Sequence, residues 1–378
     1  MVTITKKAHE MTGMLINALS IEGGQTEAQE YIFKHGLICY HKDSYLRNNG
    51  FDNIANSNLL KVERIDSKKV LADPYIQNFK CTYDISGNIV MGLERKIPGY
   101  YLAKYREDKR DPYTFARITS YCYTNIPLLL PVLYEGVNRK EEWMTVEPYE
   151  IMTHNSRAVK ARGRVLLLGC GLGYSAFRLA LEEQVKSIDI VELSPDVKKL
   201  YDKNVRDITP NRDKINDIIL DDAIKYLYST KLEKYNHIDV DIWRDTLDMI
   251  YPYLKCLALE DQYPDVTFSY WIENTFYTDL QAELLKIMLY LLVGSDGYFE
   301  EWTIPGLNTL ARYIIRKSEI TISSPADLNR LLNPAYLRKM VKEFALTNPD
   351  DVEKIGADVG KYITAGMSSV NKSQTHML

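Results

Sequence analysis

Three closely spaced glycines follow a short apolar run near the middle of the chain. The run is residues 165–168, and the glycines are Gly169, Gly171 and Gly173. A turn made of glycines lets the backbone approach a ligand closely, because no Cβ intervenes. The motif is weak by itself, since nicotinamide and flavin enzymes use a related pattern with a different spacing of the third glycine. It predicts a ligand at this turn, with a plain tight turn as the simpler interpretation.

Acidic residues follow the next two apolar runs. Glu192 lies 23 residues after Gly169, where a carboxylate can accept hydrogen bonds from both ribose hydroxyls of an adenosine. Asp222 and Ala223 follow a third run and are predicted to contact the adenine edge. Each acid has a simpler interpretation as a helix cap. The glycine turn and the two acids together favour an adenosine-containing ligand.

Asp241 ends a fourth apolar run and is our candidate catalytic residue. A carboxylate beside the reacting group can act as a base if the nucleophile carries a proton. Trp243 follows it, and Trp143 lies in a second aromatic segment. Aromatic faces attract cations, so both rings are candidates for closing a pocket around a positively charged ligand. Core packing is the alternative role of both tryptophans.

These apolar runs alternate with helical patterns, and a fifth run at residues 266–272 precedes another helix. Strands and helices that alternate at this spacing predict an α/β fold. We predict a Rossmann-like, doubly wound, mostly parallel sheet with an N-terminal helical and β-rich region and a C-terminal helical tail. The carboxyl ends of the strands form the edge at which open α/β sheets bind ligands.

The predicted organisation has three regions. They are residues 1–140, helical and then β-rich, residues 141–318, which hold the sheet, and residues 319–378, a helical tail with a disordered end from Ser368. Apolar spacing predicts helices near residues 11–21 and 26–37. Ser86, Gly87 and Asn88 predict a hairpin turn. Residues 113–134 fit either a helix or an extended segment.

Composition limits the class of protein. The 378 residues carry 47 Lys and Arg against 51 Asp and Glu, so no strong nucleic-acid signal is present. Five scattered cysteines predict reduced thiols and a cytoplasmic location. No apolar run approaches the roughly 20 residues of a membrane span. We expect a small-molecule or peptide substrate, and a homo-oligomer is compatible with the sequence.

The motifs resemble, in order, those of class I S-adenosylmethionine-dependent methyltransferases, and especially the branch that includes spermidine synthases. The resemblance covers residues 140–295 approximately and implies S-adenosylmethionine as the cofactor. The cofactor-binding residues that it implies are Gly169, Cys170, Gly171, Leu172, Gly173, Glu192, Leu193, Asp222, Ala223, Asp241 and Trp243. The sequence departs from the family after the fifth strand, because no final hairpin is legible between Gly294 and Ile320.

The segment that begins at Asp241 has two interpretations. In spermidine synthases this strand end carries a catalytic Asp and a Ser/Asp/Pro-rich loop. Asp241 fits that Asp and residues 149–154 partly match the family's Tyr-x-Glu…His region, but the loop is absent. The segment is also similar to catechol-type O-methyltransferases, which implies a magnesium site from Asp241, Glu273 and Asn274. Arg244 stands where those enzymes have a lysine base, and arginine is essentially never deprotonated.

The sequence therefore predicts an S-adenosylmethionine-dependent methyltransferase with an unidentified substrate. One alternative is a spermidine-synthase-like aminopropyltransferase, whose acidic cleft would come from Asp241, Asp245, Glu147 and Glu150. A second alternative is a non-catalytic cofactor-binding or scaffold protein. Fold and cofactor do not fix the substrate.

Overall fold

The computed structural model describes residues 2–5, 11–22, 47–48, 50, 59–97, 103–138, 141–293, 304 and 306–373. The strands are β1 Thr3–Ile4, β2 Leu60–Arg64, β3 Tyr83–Ser86, β4 Ile89–Lys96, β5 Ala103–Arg110, β6 Arg117–Tyr123, β7 Leu128–Glu135, β8 Glu141–Thr145, β9 Gly163–Leu168, β10 Val185–Glu192, β11 Ile219–Leu220, β12 His237–Val240, β13 Thr267–Tyr270 and β14 Thr321–Ile322.

The helices follow in the same order. They are α1 at residues 12–22, α2 Ser67–Leu71, α3 Pro74–Asn78, α4 Pro148–Ala158, α5 Tyr174–Leu181, α6 Pro195–Asn204, α7 Ala223–Ser229, α8 Thr246–Glu260, α9 Glu273–Val293, α10 Leu307–Lys317, α11 Pro325–Leu331, α12 Pro334–Thr347 and α13 Pro349–Ser373. Short 3-10 turns lie at Arg206–Ile208, Arg212–Lys214 and Leu232–Lys234. No helix in this described part of the chain is long and apolar enough to span a bilayer.

The central sheet has the strand order β11-β10-β9-β12-β13, and every neighbouring pair is parallel. Leu168, at the end of β9, pairs with Val191 on one side and Val240 on the other. The first strand of this sheet, β9, thus lies in its middle. The chain then adds β10 and β11 toward one edge and β12 and β13 toward the other. This is the predicted Rossmann-like, doubly wound parallel fold, and that prediction is confirmed.

Alternate residues of β9 belong to two different hydrophobic cores. Leu166 and Leu168 pack in the core that also contains the apolar faces of α7, α8 and α9. Val165 and Leu167 pack in the core with α5 and α6. All four side chains are fully buried, as expected for a parallel strand covered on both faces.

Local capping explains why helices begin where the strands end. The Ser194 hydroxyl accepts a hydrogen bond from the Val197 N–H at 3.2 Å, and Pro195 occupies the first turn of α6. Pro at this position loses no intrahelical hydrogen bond. Ser324 and Asn333 cap α11 and α12 in the same way, each with a proline next. These caps hold the strand-to-helix turns at the carboxyl edge of the sheet.

The N-terminal region contributes two further sheets, with orders β2-β6-β5 and β3-β4-β7-β8. The predicted hairpin turn joins β3 and β4, where Ser86 pairs with Ile89. Residues 113–134, which fitted either a helix or an extended segment, contain strands β6 and β7. The predicted helix at 26–37 lies outside the described residues.

The two ends of the chain meet on one side of the sheet. β1 pairs in parallel with β14, and Leu15 of α1 lies in the same core as Leu166. β8, which opens the predicted sheet region at residue 141, pairs with β7 of the N-terminal region. Strand pairs therefore connect the three predicted regions with one another, and the boundaries between the regions remain a prediction.

The C-terminal part is helical, as its spacing predicts. In the described residues the central sheet ends at β13, and α10 covers most of the described part of the segment where no final hairpin was legible. Helices α12 and α13 pack against α8. α13 continues to Ser373, beyond Ser368 where polar composition predicts disorder, and residues 374–378 lie outside the described part.

Candidate functional site

Two adjoining cavities open at the carboxyl edge of the central sheet. The Glu192 cavity measures about 330 Å³, and its lining includes Gly169, Gly171, Glu192, Leu193, Asp222, Ala223 and Asp241. The Glu150 cavity measures about 260 Å³, and its lining includes Glu142, Glu147, Glu150, His154, Asp241 and Trp271. The residues common to both are Trp143, Met144, Gly169, Gly171, Asp241, Trp243 and Arg244. The two cavities therefore meet at Asp241 and the glycine turn.

At two of the three glycine positions only glycine fits, because a Cβ would come too close to an atom at this junction. Gly169 has φ +92°, and a Cβ there would lie 2.0 Å from the Asp241 carbonyl oxygen. Gly171 has φ +50°, and a Cβ there would lie 2.6 Å from Met144 Sδ, inside the cavities. Gly173 caps α5 and faces the Tyr201 ring instead, so it lines neither cavity. Gly173 therefore packs against α6, and its predicted contact with a cofactor stays a prediction, as do those of Gly169 and Gly171.

The Glu192 carboxylate is held by the backbone of the turn. It is 7% exposed, and it accepts hydrogen bonds from Cys170 N–H at 2.9 Å and Ser194 N–H at 2.8 Å, one on each oxygen. A carboxylate has about four acceptor positions, so capacity remains for a ligand. Burial raises the pKa of the Cys170 thiol, which keeps it protonated beside this carboxylate.

The remaining predicted residues of the Glu192 cavity come from the next two strand ends. Asp222 accepts a hydrogen bond from Lys225 N–H at 2.8 Å and caps α7. It therefore acts as a helix cap and also lines the Glu192 cavity. Leu193 is 71% exposed although it is apolar. An exposed leucine at a cavity rim offers a surface that a flat base could cover.

Trp243 lies at the cavity junction but is only 5% exposed. Its indole N–H donates to the Trp271 carbonyl at 3.0 Å, and its ring stacks with Tyr270 at 6.4 Å between centroids. Trp243 therefore combines core packing with a place in both linings. Arg244, next to it, ion-pairs with Glu135 at 2.8 Å and lies over the Trp143 ring at 5.3 Å.

Asp241 lies above a set of buried charges. Its Oδ2 is 3.2 Å from Arg157 Nη2 and 3.5 Å from His154 Nε2. Arg157 Nε is 3.2 Å from Asp239 Oδ1, and Asp239 also accepts from the Ser175 and Ser269 hydroxyls at 3.0 and 2.6 Å. Burial raises the pKa of Asp241, and Arg157 and His154 oppose that effect.

Glu150 and His154 stand one turn apart on α4 and face Asp241. Glu150 Oε2 lies 2.8 Å from His154 Nε2. Burial raises the pKa of Glu150 to about 7, with Arg157 opposing. Burial and the nearby Arg157 lower the pKa of His154 to about 4, so the imidazole is neutral at neutral pH. The cavity thus contains a carboxyl group that titrates near neutrality beside a neutral histidine.

Sequence reasoning missed Arg157 and Asp239. One signal was available: Glu150, His154 and Arg157 are spaced by four and three residues, which places them on one helix face. The second signal was a charged residue, Asp239, between the apolar Ile238 and Val240 of the buried strand β12. A buried charge requires a partner, so each of these residues predicts the other.

The structure does not bring the proposed magnesium ligands together. Glu273 accepts from Arg338 Nε at 2.9 Å and from the Tyr253 hydroxyl, and Asn274 donates to Glu107. Neither residue lines a cavity that contains Asp241. Across the described ranges, no three His, Cys, Asp or Glu side chains are grouped to hold a metal ion. Asp245, proposed for the acidic cleft, caps α8 instead.

No family model and no curated protein sequence matches this chain. Solved structures that align with it include M. jannaschii TYW2 in complex with AdoMet (TM-score 0.24, 15% identity, 33% of this chain and 53% of that one). Another is the spermidine synthase of Thermotoga maritima (TM-score 0.30, 17% identity, 44% and 60%). A third is Trm5b of Pyrococcus abyssi (TM-score 0.23, 14% identity, 53% and 55%).

The chain spans between half and three-fifths of the length of these three proteins. The strand order of the central sheet, rather than these partial alignments, establishes the fold.

Proposed function

We propose that this protein binds S-adenosylmethionine in the Glu192 cavity and transfers its methyl group to an acceptor in the Glu150 cavity. The observation that carries the proposal is the junction of the two cavities at Asp241 and the glycine turn. A donor and an acceptor placed on either side of this junction would be held in contact, and such positioning is the main requirement of a displacement reaction.

The residues at the Glu192 cavity fit an S-adenosyl ligand. Gly171 lines the cavity without a side chain, and Glu192 keeps free acceptor positions for two ribose hydroxyls. Leu193 and Ala223 supply apolar contacts for adenine, and Asp222 supplies an acceptor for its amino group. We propose these residues, with Gly169, Cys170, Leu172, Asp241 and Trp243, as the binding set.

When bound, S-adenosylmethionine would supply a methyl carbon attached to a sulfonium. As the acceptor's lone pair forms a bond to that carbon, the carbon–sulfur bond breaks and its electron pair stays on sulfur. The residues of this chain orient the two partners and hold charge beside them. Asp241 is the proposed catalytic residue at the junction, and Trp143 and Trp243 supply aromatic surfaces suited to a cation.

A second candidate, aminopropyl transfer to an amine, is favoured by the composition of the Glu150 cavity. Four acidic side chains line it, namely Glu142, Glu147, Glu150 and Asp241, and three tryptophans accompany them, namely Trp143, Trp243 and Trp271. Carboxylates and aromatic faces both attract ammonium groups. The donor would then be decarboxylated S-adenosylmethionine.

Calorimetric titration of the purified protein tests both candidates. S-adenosylmethionine and S-adenosylhomocysteine should bind, and each should raise the melting temperature by mass action. Binding of neither ligand contradicts the proposal. Measurable binding of putrescine or spermidine, together with preference for the decarboxylated donor, moves the assignment to aminopropyl transfer.

A further inference from the structure

One imidazole nitrogen lies between two carboxylates in the Glu150 cavity. His154 Nε2 is 2.8 Å from Glu150 Oε2 and 3.5 Å from Asp241 Oδ2. The glutamate side chain is 22% exposed and the aspartate side chain 20%, whereas the histidine is 6% exposed. Both carboxylates can therefore reach a molecule in the cavity, while the histidine, which also lines it, is nearly buried.

Arg157 determines which nitrogen of His154 carries the proton. Its Nη2 lies 2.8 Å from His154 Nδ1, and a guanidinium only donates hydrogen bonds. Nδ1 must therefore accept, and in a neutral imidazole the proton is then on Nε2. Ser175, 3.2 Å from the same Nδ1, donates its hydroxyl proton to Asp239 at 3.0 Å and does not compete.

The Nε2–H group then donates to Glu150, which fixes that carboxyl group as an acceptor. No described residue makes a hydrogen bond to the second oxygen, Glu150 Oε1, and this atom is available to the cavity. Asp241 differs, because its Oδ2 faces the buried guanidinium of Arg157 at 3.2 Å. Burial raises the pKa of Asp241 too, and the pair with Arg157 opposes that rise, because a neutral Asp241 would leave the buried guanidinium with one partner fewer.

We propose that Glu150 is the proton acceptor of this site and that Arg157 is a positioning residue that acts on it through His154. The proposal rests on the proposed transferase function and divides the work between the two carboxylates. The N–H or O–H proton of the acceptor moves to Glu150 Oε1 as the new bond forms, and Asp241 remains charged beside the reacting centre.

The electrostatic surroundings agree with this division. Five titratable or charged side chains interact with Glu150, and they are Tyr149, His154, Arg157, Tyr174 and Asp241. Burial outweighs the attraction of Arg157 and raises the pKa of Glu150 to about 7. A general base is most effective when its pKa is close to the working pH.

Nuclear magnetic resonance of the full chain with isotope-labelled histidine tests the positioning role directly. The H154Q variant assigns the His154 signal among the six histidines of the chain. At neutral pH we expect the neutral tautomer with its proton on Nε2. A proton on Nδ1, or a doubly protonated ring, overturns the proposal.

Two substitutions of Arg157 separate positioning from mere packing. In R157M the donor to Nδ1 is lost, and the tautomer with a proton on Nδ1 should become populated because Ser175 can accept from it. In R157K a donor remains, and the wild-type tautomer should be restored. Identical histidine spectra in R157M and wild type overturn the proposal. If R157M does not fold, the wild-type and R157K spectra still decide.

Carbon resonances of labelled glutamate carboxyls test the acceptor role, with E150Q for assignment and E142Q as the control on the same cavity. Glu150 should titrate at least one pH unit above the usual value of about 4.3. Titration at the usual value overturns it as the acceptor. S-adenosylhomocysteine binding, measured on the same samples, keeps this result separate from a failure of the proposed function.

Discussion

The backbone N–H of Leu172 donates to the sulfur of Met144 at 3.3 Å, across the junction of the two cavities. Met144 comes from β8 of the N-terminal sheet, whereas Leu172 belongs to the glycine turn of the central sheet. A thioether is a weak acceptor, so this N–H has only a weak partner. A ligand that uses the turn must share this space with the methionine.

We therefore expect Met144→Ala to strengthen binding of S-adenosylhomocysteine by about twofold to tenfold. The variant removes a side chain that contacts Gly171 and Leu172, and a weak hydrogen bond of about 0.5–1.5 kcal/mol no longer opposes the ligand. Calorimetry measures the change. Met144→Leu, which keeps the bulk but not the acceptor, is the control, and weaker binding in Met144→Ala would contradict the idea.

Gly171→Val should abolish S-adenosylhomocysteine binding, because its side chain would enter the space between the turn and Met144. The positive φ adds backbone strain of about 1–3 kcal/mol, so the melting temperature should also fall. Gly173→Ala has comparable strain at φ +75° but faces Tyr201. This control should lose stability and keep binding. Equal loss of binding in both variants would assign the effect to folding.

Glu192→Ala should weaken S-adenosylhomocysteine binding by at least about tenfold. Hydrogen bonds to charged groups contribute about 1.5–3 kcal/mol, and this carboxylate also orders Cys170 N–H and Ser194 N–H. Asp222→Asn is a milder comparison, since asparagine still caps α7. Unchanged affinity in Glu192→Ala would mean that Glu192 only shapes the turn.

The sequence predicted the central sheet well because parallel strands buried on both faces are continuous apolar runs. Val165, Leu166, Leu167 and Leu168 are all fully buried, and they divide between the two cores. The residues after such strands lie at one edge by topology alone. Glu192, Asp222 and Asp241 could therefore be placed together without any coordinates.

Trp143 was a candidate for closing the pocket from the sequence, but the contact between its neighbour Met144 and the glycine turn could not be predicted, because it depends on the pairing of distant segments. Met144 reaches the glycine turn only because β8 pairs with β7. Gly173 belongs to the same motif as Gly169, but the helix that it begins turns it toward Tyr201. Local spacing identifies a glycine that needs positive φ but does not show what it faces.

Asp241→Asn should leave S-adenosylhomocysteine binding nearly unchanged and lower turnover of any acceptor that the wild type uses. The amide keeps the shape but weakens the contact with Arg157, which retains Asp239. We expect the free energy of unfolding to fall by about 1–3 kcal/mol. Calorimetric titration measures ligand binding, an activity assay measures turnover, and differential scanning calorimetry measures the change in stability. A fully active variant would contradict every role assigned to Asp241.

Magnesium dependence is tested separately, by treating the wild-type protein with a chelator. Glu273 is paired with Arg338 and Asn274 with Glu107, so we expect a chelator to leave ligand binding and turnover of the wild type unchanged. Glu273→Gln should lower the melting temperature through the loss of the Arg338 pair. Loss of turnover on chelation, reproduced by Glu273→Gln, would instead support a metal site at Asp241.

Glu150→Gln should gain stability relative to the wild type as the pH rises. The pKa of Glu150 is raised to about 7 in the folded chain, against about 4.3 in the unfolded chain, so the folded state binds this proton more tightly. The wild type therefore has no penalty below about pH 4, loses stability between about pH 4 and 7, and keeps the full penalty above that range.

Glutamine does not ionise, and its amide oxygen can still accept from His154 Nε2–H, so the variant lacks this penalty. Because the side chain is 22% exposed, we expect a difference of about 1–3 kcal/mol, which develops between about pH 4 and pH 7 and stays constant above that range. His154 titrates in both proteins and does not alter the sign of the difference. Calorimetric melts across this range measure it, with Glu142→Gln as a comparison variant of the same cavity. If the stability difference between Glu150→Gln and the wild type were the same at every pH, the Glu150 carboxyl would titrate at its ordinary pKa.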